Sequence, residues 1–374
     1  MLYRPQAAGK AILPAHKRIW VATPYGKDGM GGIDRLNDAI FDALSRHPEF
    51  GFECVRLVTR GEGNIALAQG VFATALARFC AAAVNKKINL LHIHLSDRGS
   101  TYRKVLLGMA ARRMKVPYVV HLHGLYLREF WANSASILKY ELKQLFTGSA
   151  QIIVLGRYWG EVILEGAPEV SSRIAVLPNA TPAQAARQEP AAGAPVRITF
   201  LGQLGARKGV PELVSALGRL AHQGDWSATI AGDGEIEATR AQVARLGIEN
   251  RVRVPGWLHA TARTELLANS DVLVLPSHAE NLPMVIVEAL SHGVAVIATP
   301  VGAVPEVITD GYNGILVPPG DEAALARSIE RLVSDARLRR SLGAAARNTH
   351  MERFEFENYL RRLTDIWNSA CKRI

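Results

Sequence analysis

Two glutamates, Glu280 and Glu288, stand eight residues apart where a β-type run, Val272-Leu-Val-Leu275, leads through Pro276-Ser-His-Ala-Glu280-Asn-Leu-Pro283 into a helical stretch ending near Ser291. Pro283 suits a first helical position and Gly293 the residue just past the end. Glu280 then lies in the loop ahead of the helix and Glu288 inside it. On one continuous helix, eight residues amount to about 12 Å of rise and about 80° of rotation, too far apart for a close carboxylate dyad. The pair is instead spaced to hold two ends of one extended ligand. Backbone N–H groups of Asn281 and Leu282 fall between them at a helix N-terminus, whose partial positive charge favours a phosphate. Sugar, diphosphate and ribose fit that order. The plain alternative for either glutamate alone is a solvated or capping carboxylate; their place after a strand argues for a site.

Other residues offer chemistry of their own. Arg207 and Lys208 close a glycine turn that opens at Gly202 after Val196-Arg-Ile-Thr-Phe-Leu201, where adjacent cations suit a diphosphate; an exposed helix end is the alternative. His92 and His94, like His121 and His123, are two apart and share a strand face. Zinc needs at least three protein ligands and no third partner has suitable spacing, so no metal site is expected. Gly31 and Gly32 would let the backbone approach a phosphate or an acceptor closely, although a tight turn explains such a pair as well. Gly29 to Gly32 do not complete a GxGxxG fingerprint, and no acidic residue at the expected distance ends a second strand to bind a nicotinamide ribose.

These residues need rigid elements to hold them. Two segments share a plan of β-rich run, glycine turn with a cation, then helix: Arg18 to Thr23 through Gly26–Gly32 into a helix near Asp34, and Val196 to Leu201 through Gly202–Gly209 into a helix containing Val214 and Leu217. Further apolar runs at 89–94, 118–123, 151–155 and 174–177, then at 227–231, 252–254, 272–275, 295–298 and 315–317, alternate with helical patterns. Such alternation predicts an α/β chain of two Rossmann-like units with parallel sheets covered on both faces. Ligands of these sheets sit beyond the carboxyl ends of the strands. The expected boundaries are an extension over 1–16, an amino-terminal domain over 17–180, an Ala/Pro-rich linker over 181–195, a second domain over 196–350, and an amphipathic helix over 351–374.

Glu280-Asn-Leu-Pro-Met-Val-Ile-Val-Glu288 resembles the E-x7-E signature of retaining glycosyltransferases of the GT-B fold, the glycogen-synthase-like group four. The resemblance spans nearly the whole chain: Gly31-Gly32, His121-Leu-His123-Gly124, Pro178-Asn179, Arg207-Lys208-Gly209, Gly232-Asp-Gly234, Pro255-Gly256-Trp257, Thr299-Pro-Val-Gly302 and Pro305-Glu306 occur in order. It implies a GT-B architecture whose central cleft binds a nucleotide-sugar donor, with the final helix packed back on the body and no metal cofactor. It further implies that Glu280 and His123 contact the donor sugar, that Glu288 accepts from the ribose, and that Arg207 and Lys208 neutralise the leaving diphosphate. Trp257 and Leu258 would flank the base, held mainly through backbone groups. Acceptors would enter through the amino-terminal domain. Where the family usually has arginine this chain has Gln203, and Arg207 across the turn is placed to supply that charge.

Composition narrows the setting. Nearly half of the 374 residues are hydrophobic, enough for a large core, and a net charge of +10 points to an anionic partner. Three cysteines give no disulfide framework, so a cytoplasmic, reducing compartment is expected. The first eighteen residues contain no signal-peptide core, and the apolar stretch Gly70–Val84, interrupted by Arg78, falls short of the roughly 20 residues of a membrane span. Membrane contact would be peripheral, through the final helix or the cations at Arg98, Arg103, Lys104, Arg112, Arg113 and Lys115, which would dock an anionic membrane or a lipid-diphosphate acceptor. A solvated face explains the same charges, and no nucleic-acid reading module accompanies them. Two alternatives remain: a GT-B sugar-nucleotide epimerase, or a catalytically silent subunit docked on a membrane synthase.

Overall fold

The structure, a computed structural model, describes residues 16–27, 32–97, 99–187 and 193–372. Residues 1–15, Gly31, Arg98 and 188–192 of the linker lie outside the described residues. Strands β1 (Lys17–Thr23), β2 (Phe52–Val58), β3 (Leu90–Leu95), β4 (Tyr118–Leu122), β5 (Gln151–Val154) and β6 (Ile174–Val176) form a six-stranded parallel sheet in the order β2-β1-β3-β4-β5-β6. Helices α1 (Gly32–Arg46), α2 (Ile65–Val84), α3 (Gly99–Arg113), α4 (Leu127–Asn133), α5 (Ser136–Thr147) and α6 (Arg157–Gly166) connect and cover it. The second sheet is built from β7 (Val196–Leu201), β8 (Trp226–Ala231), β9 (Val252–Gly256), β10 (Val272–Leu275), β11 (Ala295–Ala298) and β12 (Ile315–Leu316), in the order β12-β11-β10-β7-β8-β9. Its helices are α7 (Val210–Arg219), α8 (Ile236–Arg245), α9 (Ala260–Ala268), α10 (Met284–His292), α11 (Glu322–Ser334) and α12 (Ala336–Arg353), and α13 (Phe356–Lys372) ends the described chain.

The central strands β3, β4, β10 and β11 are buried along their whole length, as parallel strands roofed on both faces must be. Strand β2 has no counterpart among the apolar runs of the sequence. Glu53, Cys54 and Arg56 interrupt its pattern because it is an edge strand, paired on one side with β1 and half open to solvent. The terminal helix begins at Phe356, not at 351, since Met351–Arg353 complete α12 and the chain turns at Phe354. Its apolar face, with Tyr359, Leu360, Leu363 and Trp367, is buried against Ile19, Leu36, Leu90 and Val119 of the first domain. The last helix therefore crosses back from the second domain to close the sheet of the first.

Helix α2 also differs from the sequence expectation. Asn64 caps its N-terminus by accepting from the Leu67 amide at 3.1 Å, and the helix runs unbroken for 20 residues, long and apolar enough by composition to cross a membrane. Here it lies on the first domain, burying the stripe Ala68, Phe72, Ala75 and Phe79 and leaving most of its surface outside.

Candidate active site

The carboxyl ends of both sheets face one cleft, a cavity of about 500 Å³. Glu280, His123, Lys208, Arg207, Asn281, Leu282, Glu288, Gly202, Trp257, Leu258 and Gly32 all line it, so residues more than 250 positions apart in sequence meet there. Of the residues singled out from sequence, Gly31 of the glycine turn and Arg98 of the cation cluster lie outside the described residues.

Backbone close approaches set the cation next to the carboxylate. Arg207 and Lys208 sit in a 3₁₀ turn that ends on Gly209 at φ +68°, where an added Cβ would lie 2.0 Å from the Pro276 carbonyl oxygen. Only glycine permits that contact. The His278 amide donates to the Arg207 carbonyl at 2.9 Å, stitching the turn to the loop ahead of α10. Lys208 Nζ consequently forms an ion pair with Glu280 Oε1, which also accepts from Ser277 Oγ at 2.8 Å. Glu280 is only 8% exposed, so its charge depends on these partners. From the other side, Gly302 at φ +56° lets its strand-end loop press on the Glu280 carbonyl, and the Ala303 amide donates to the Asn281 carbonyl at 2.8 Å.

Pro283 is the residue before α10 rather than within it, and Gly293 ends the helix at φ +72°. Glu288 lies inside the helix and meets two arginines that the motif reading passed over: Arg263 of α9 at 3.3 Å and Arg35 of α1 at 3.6 Å. Burial lowers the ionisation range of Arg35 and the Glu288 charge opposes that fall. No local pattern marks either arginine, since each comes from a helix whose approach is set only in three dimensions. Arg207 lies beside Gln203, its guanidinium 3.4 Å from the amide oxygen, and also donates to the Ala279 carbonyl at 3.3 Å.

His123 reaches the cleft as one of a cluster of four buried histidines in the first domain. Parallel pairing of β3 with β4 sets His94 opposite His121, which brings both sequence pairs into one stack. His94 Nδ1 and His123 Nε2 are 2.8 Å apart, His92 Nε2 and His121 Nδ1 3.3 Å, and Trp367 Nε1 donates to His92 Nδ1 at 3.0 Å. Burial pushes His92 and His123 down to about 3, so both rings are neutral near pH 7. Nδ1 of His123 is buried without a protein partner, and the residue lines the cleft. The expectation that no third histidine joins a pair does not hold: one ring nitrogen from each of His92, His94 and His121 falls within 4.8 Å of the others. Both nitrogens of His92 are engaged by Trp367 and His121, so a metal there would have to break this ladder.

Three further contacts join the domains around the cleft. Asn281 Nδ2 donates to the Gly124 carbonyl and Asn179 Nδ2 to the Leu282 carbonyl, both at 3.1 Å. Glu306 of the second domain caps α6 of the first, accepting from the Arg157 and Tyr158 amides at 2.9 and 3.0 Å. The linker is held on the second domain through Arg187, 2.6 Å from the buried carboxylate of Asp271.

Two Rossmann-like domains facing a cleft, closed by a returning terminal helix, define the GT-B architecture. HepE from Anabaena in complex with UDP superposes with a TM-score of 0.73 at 20% identity over 94% of this chain and 100% of that chain. Residues 183–349 match the family described as Glycosyl transferases group 1. N-acetyl-alpha-D-glucosaminyl L-malate synthase of Bacillus anthracis is 35% identical over 44% of this chain and 43% of its own length, so the match spans under half of that relative. The lipopolysaccharide core biosynthesis glycosyltransferase LpsE of Rhizobium meliloti is 29% identical over 70% of this chain and 81% of its own length.

Proposed function

We propose that this protein is a glycosyltransferase that moves a sugar from a nucleotide-diphosphate-sugar donor to a saccharide or lipid-linked saccharide acceptor, with retention of anomeric configuration, in cytoplasmic synthesis of a surface polysaccharide or glycolipid. The observation that carries the reading is the cleft between the domains, where the Lys208–Glu280 pair and Arg207 face Glu288 across space for one extended ligand. The donor diphosphate lies against Arg207, Lys208 and the amides of Asn281 and Leu282. Its negative charge gives Lys208 a second partner and frees Glu280 to accept from sugar hydroxyls. Glu288, held by Arg35 and Arg263, accepts from the ribose, and the base lies along Trp257 and Leu258.

The acceptor hydroxyl attacks the anomeric carbon as the bond to the diphosphate breaks, and the leaving diphosphate takes the hydroxyl proton. Retention requires attack on the face the leaving group departs from, which suits a diphosphate acting as its own base. Arg207 and Lys208 stabilise the developing charge, and no metal is required for that task. Neutral His123 orients the sugar through Nδ1. The first domain is the acceptor side.

A panel of nucleotide diphosphates and nucleotide sugars tests the proposal by thermal stabilisation and by slow donor hydrolysis. The expected result is stabilisation by one nucleoside diphosphate, growing with ligand concentration as linkage requires. Absence of stabilisation by every member would overturn it. Rapid interconversion of donor epimers without acceptor would favour an epimerase, and intact binding without transfer to any acceptor a silent subunit.

A further inference from the structure

A second cavity, of about 820 Å³, opens beside the donor cleft in the first domain and shares Gly32, Ile33 and His123 with it. One part of its lining is polar: His94, whose Nε2 is buried without a protein partner, and Asp34 in the first turn of α1. Asp97 lines it too, but its carboxylate is taken up by the Leu125 and Tyr126 amides at 3.0 and 3.1 Å. Another part is cationic. Arg60 and Arg103 both face the cavity, neither has a carboxylate partner among the described residues, and the Nε of Arg103 is buried without an acceptor. Burial, and then the positive charge of Arg60, lowers the ionisation range of Arg103, as expected of two cations held together without an anion.

The wall next to this cation pair is apolar and continues onto the outside of the molecule. Ile65, Ala68 and Phe72 of α2 and Leu106 of α3 line the cavity, while Ile65 is 80% exposed. Beyond it the outer face of α2 presents Leu67, Ala73, Ala77 and Val84 to solvent, with Arg78 the one charge on the helix. The helix therefore buries one stripe beneath and turns a contiguous apolar surface outward, the kind of patch that marks a membrane or partner contact.

Resting on the glycosyltransferase reading, we infer that the acceptor is a lipid-borne phosphate or diphosphate. Its phosphate sits between Arg60 and Arg103, its hydroxyl-bearing head reaches His123, and its hydrocarbon leaves along α2, whose outer face rests on the membrane. The two arginines supply charge complementarity to phosphate that a neutral sugar acceptor would leave unpaired. The apolar exit beside them would have no use with a free, water-soluble anion.

The test uses the full chain and three probes: phosphatidylcholine vesicles, the same vesicles carrying a polyprenyl diphosphate, and inorganic pyrophosphate in solution. Wild-type protein is expected to co-sediment with the diphosphate-bearing vesicles, with Arg60→Gln plus Arg103→Gln lowering binding about tenfold or more. Ile65→Ser plus Leu67→Ser is expected to weaken vesicle binding while leaving pyrophosphate binding unchanged. Stabilisation by UDP, or by whichever nucleotide the panel selects, is the control in every variant. It stays intact if the fold and donor site are sound, so loss of donor binding counts against the glycosyltransferase reading and not against the acceptor. Equal sedimentation with both vesicle types, or pyrophosphate binding that competes fully while vesicles bind no better than buffer, would overturn the lipid-borne acceptor.

Discussion

At the scale of residues the two glutamates of the cleft have different neighbours. Glu280 is paired with Lys208 and Ser277 beside the expected sugar, whereas Glu288 is paired with Arg35 and Arg263 at the far end. Glu280→Ala is expected to lower kcat by about 10²-fold or more with nucleotide affinity little changed, because it strips a charge-ordering group from the reacting centre. Glu288→Ala is expected to raise the dissociation constant for the nucleoside diphosphate about tenfold, as for a lost charge-assisted hydrogen bond. Calorimetry with the nucleotide and steady-state kinetics separate the two, and identical effects would refute the division. Arg207→Ala tests whether that side chain replaces the charge absent at Gln203; wild-type turnover would sink the idea. The motif residues were legible one by one because their types and spacing are local. Arg35 and Arg263 were not, because nothing near them in sequence announces a partner on another helix.

Among elements, the terminal helix and the histidine strands are joined by one hydrogen bond, from Trp367 to His92. Trp367 is almost fully buried, so Trp367→Ala is expected to cost about 3 to 5 kcal/mol of stability, read by chemical denaturation. The more conservative Trp367→Phe keeps most of the packing and isolates the hydrogen bond, at about 1 kcal/mol. The buried histidines also set an acid limit. An unfolded histidine takes up a proton near pH 6.5, while His92 and His123 resist until about 3, so the unfolded state binds more protons between those values. Stability is therefore present in full above about pH 6.5 and falls as the pH drops below it, by on the order of 1 kcal/mol per pH unit for each such histidine. Denaturation midpoints between pH 7 and 5 check this, and His92→Phe should flatten the slope. Alternation of apolar runs located eleven of the twelve strands; edge strand β2 was missed because half of it faces water. The full length of α2 was also missed, because Arg78 on its outer face was read as an interruption.

In the whole molecule, closure depends on a few contacts across the cleft. Glu306 reaches from one domain to the first amides of α6 in the other, where a carboxylate also meets the positive end of the helix dipole. Glu306→Ala should remove about 1 to 3 kcal/mol of closing preference. Small-angle scattering should then report a larger radius of gyration for the free protein and a return toward the wild-type value when nucleotide is added. An unchanged radius would show that Asn179 and Asn281 hold the domains without it. The sequence by itself determined the class of architecture, since period, glycine turns and strand order of apolar runs are properties of neighbouring residues. It also pointed to most of the residues that line the cleft between the domains, though not to Arg35 or Arg263, because strand ends in parallel sheets converge on one edge. Only the tertiary structure decided how Glu280 and Glu288 are paired, by bringing Lys208 to the first and arginines from two domains to the second. The same holds for the four histidines, which the sequence offers as two separate pairs and strand register joins into one ladder, because pairing between distant segments is written in packing and not in spacing.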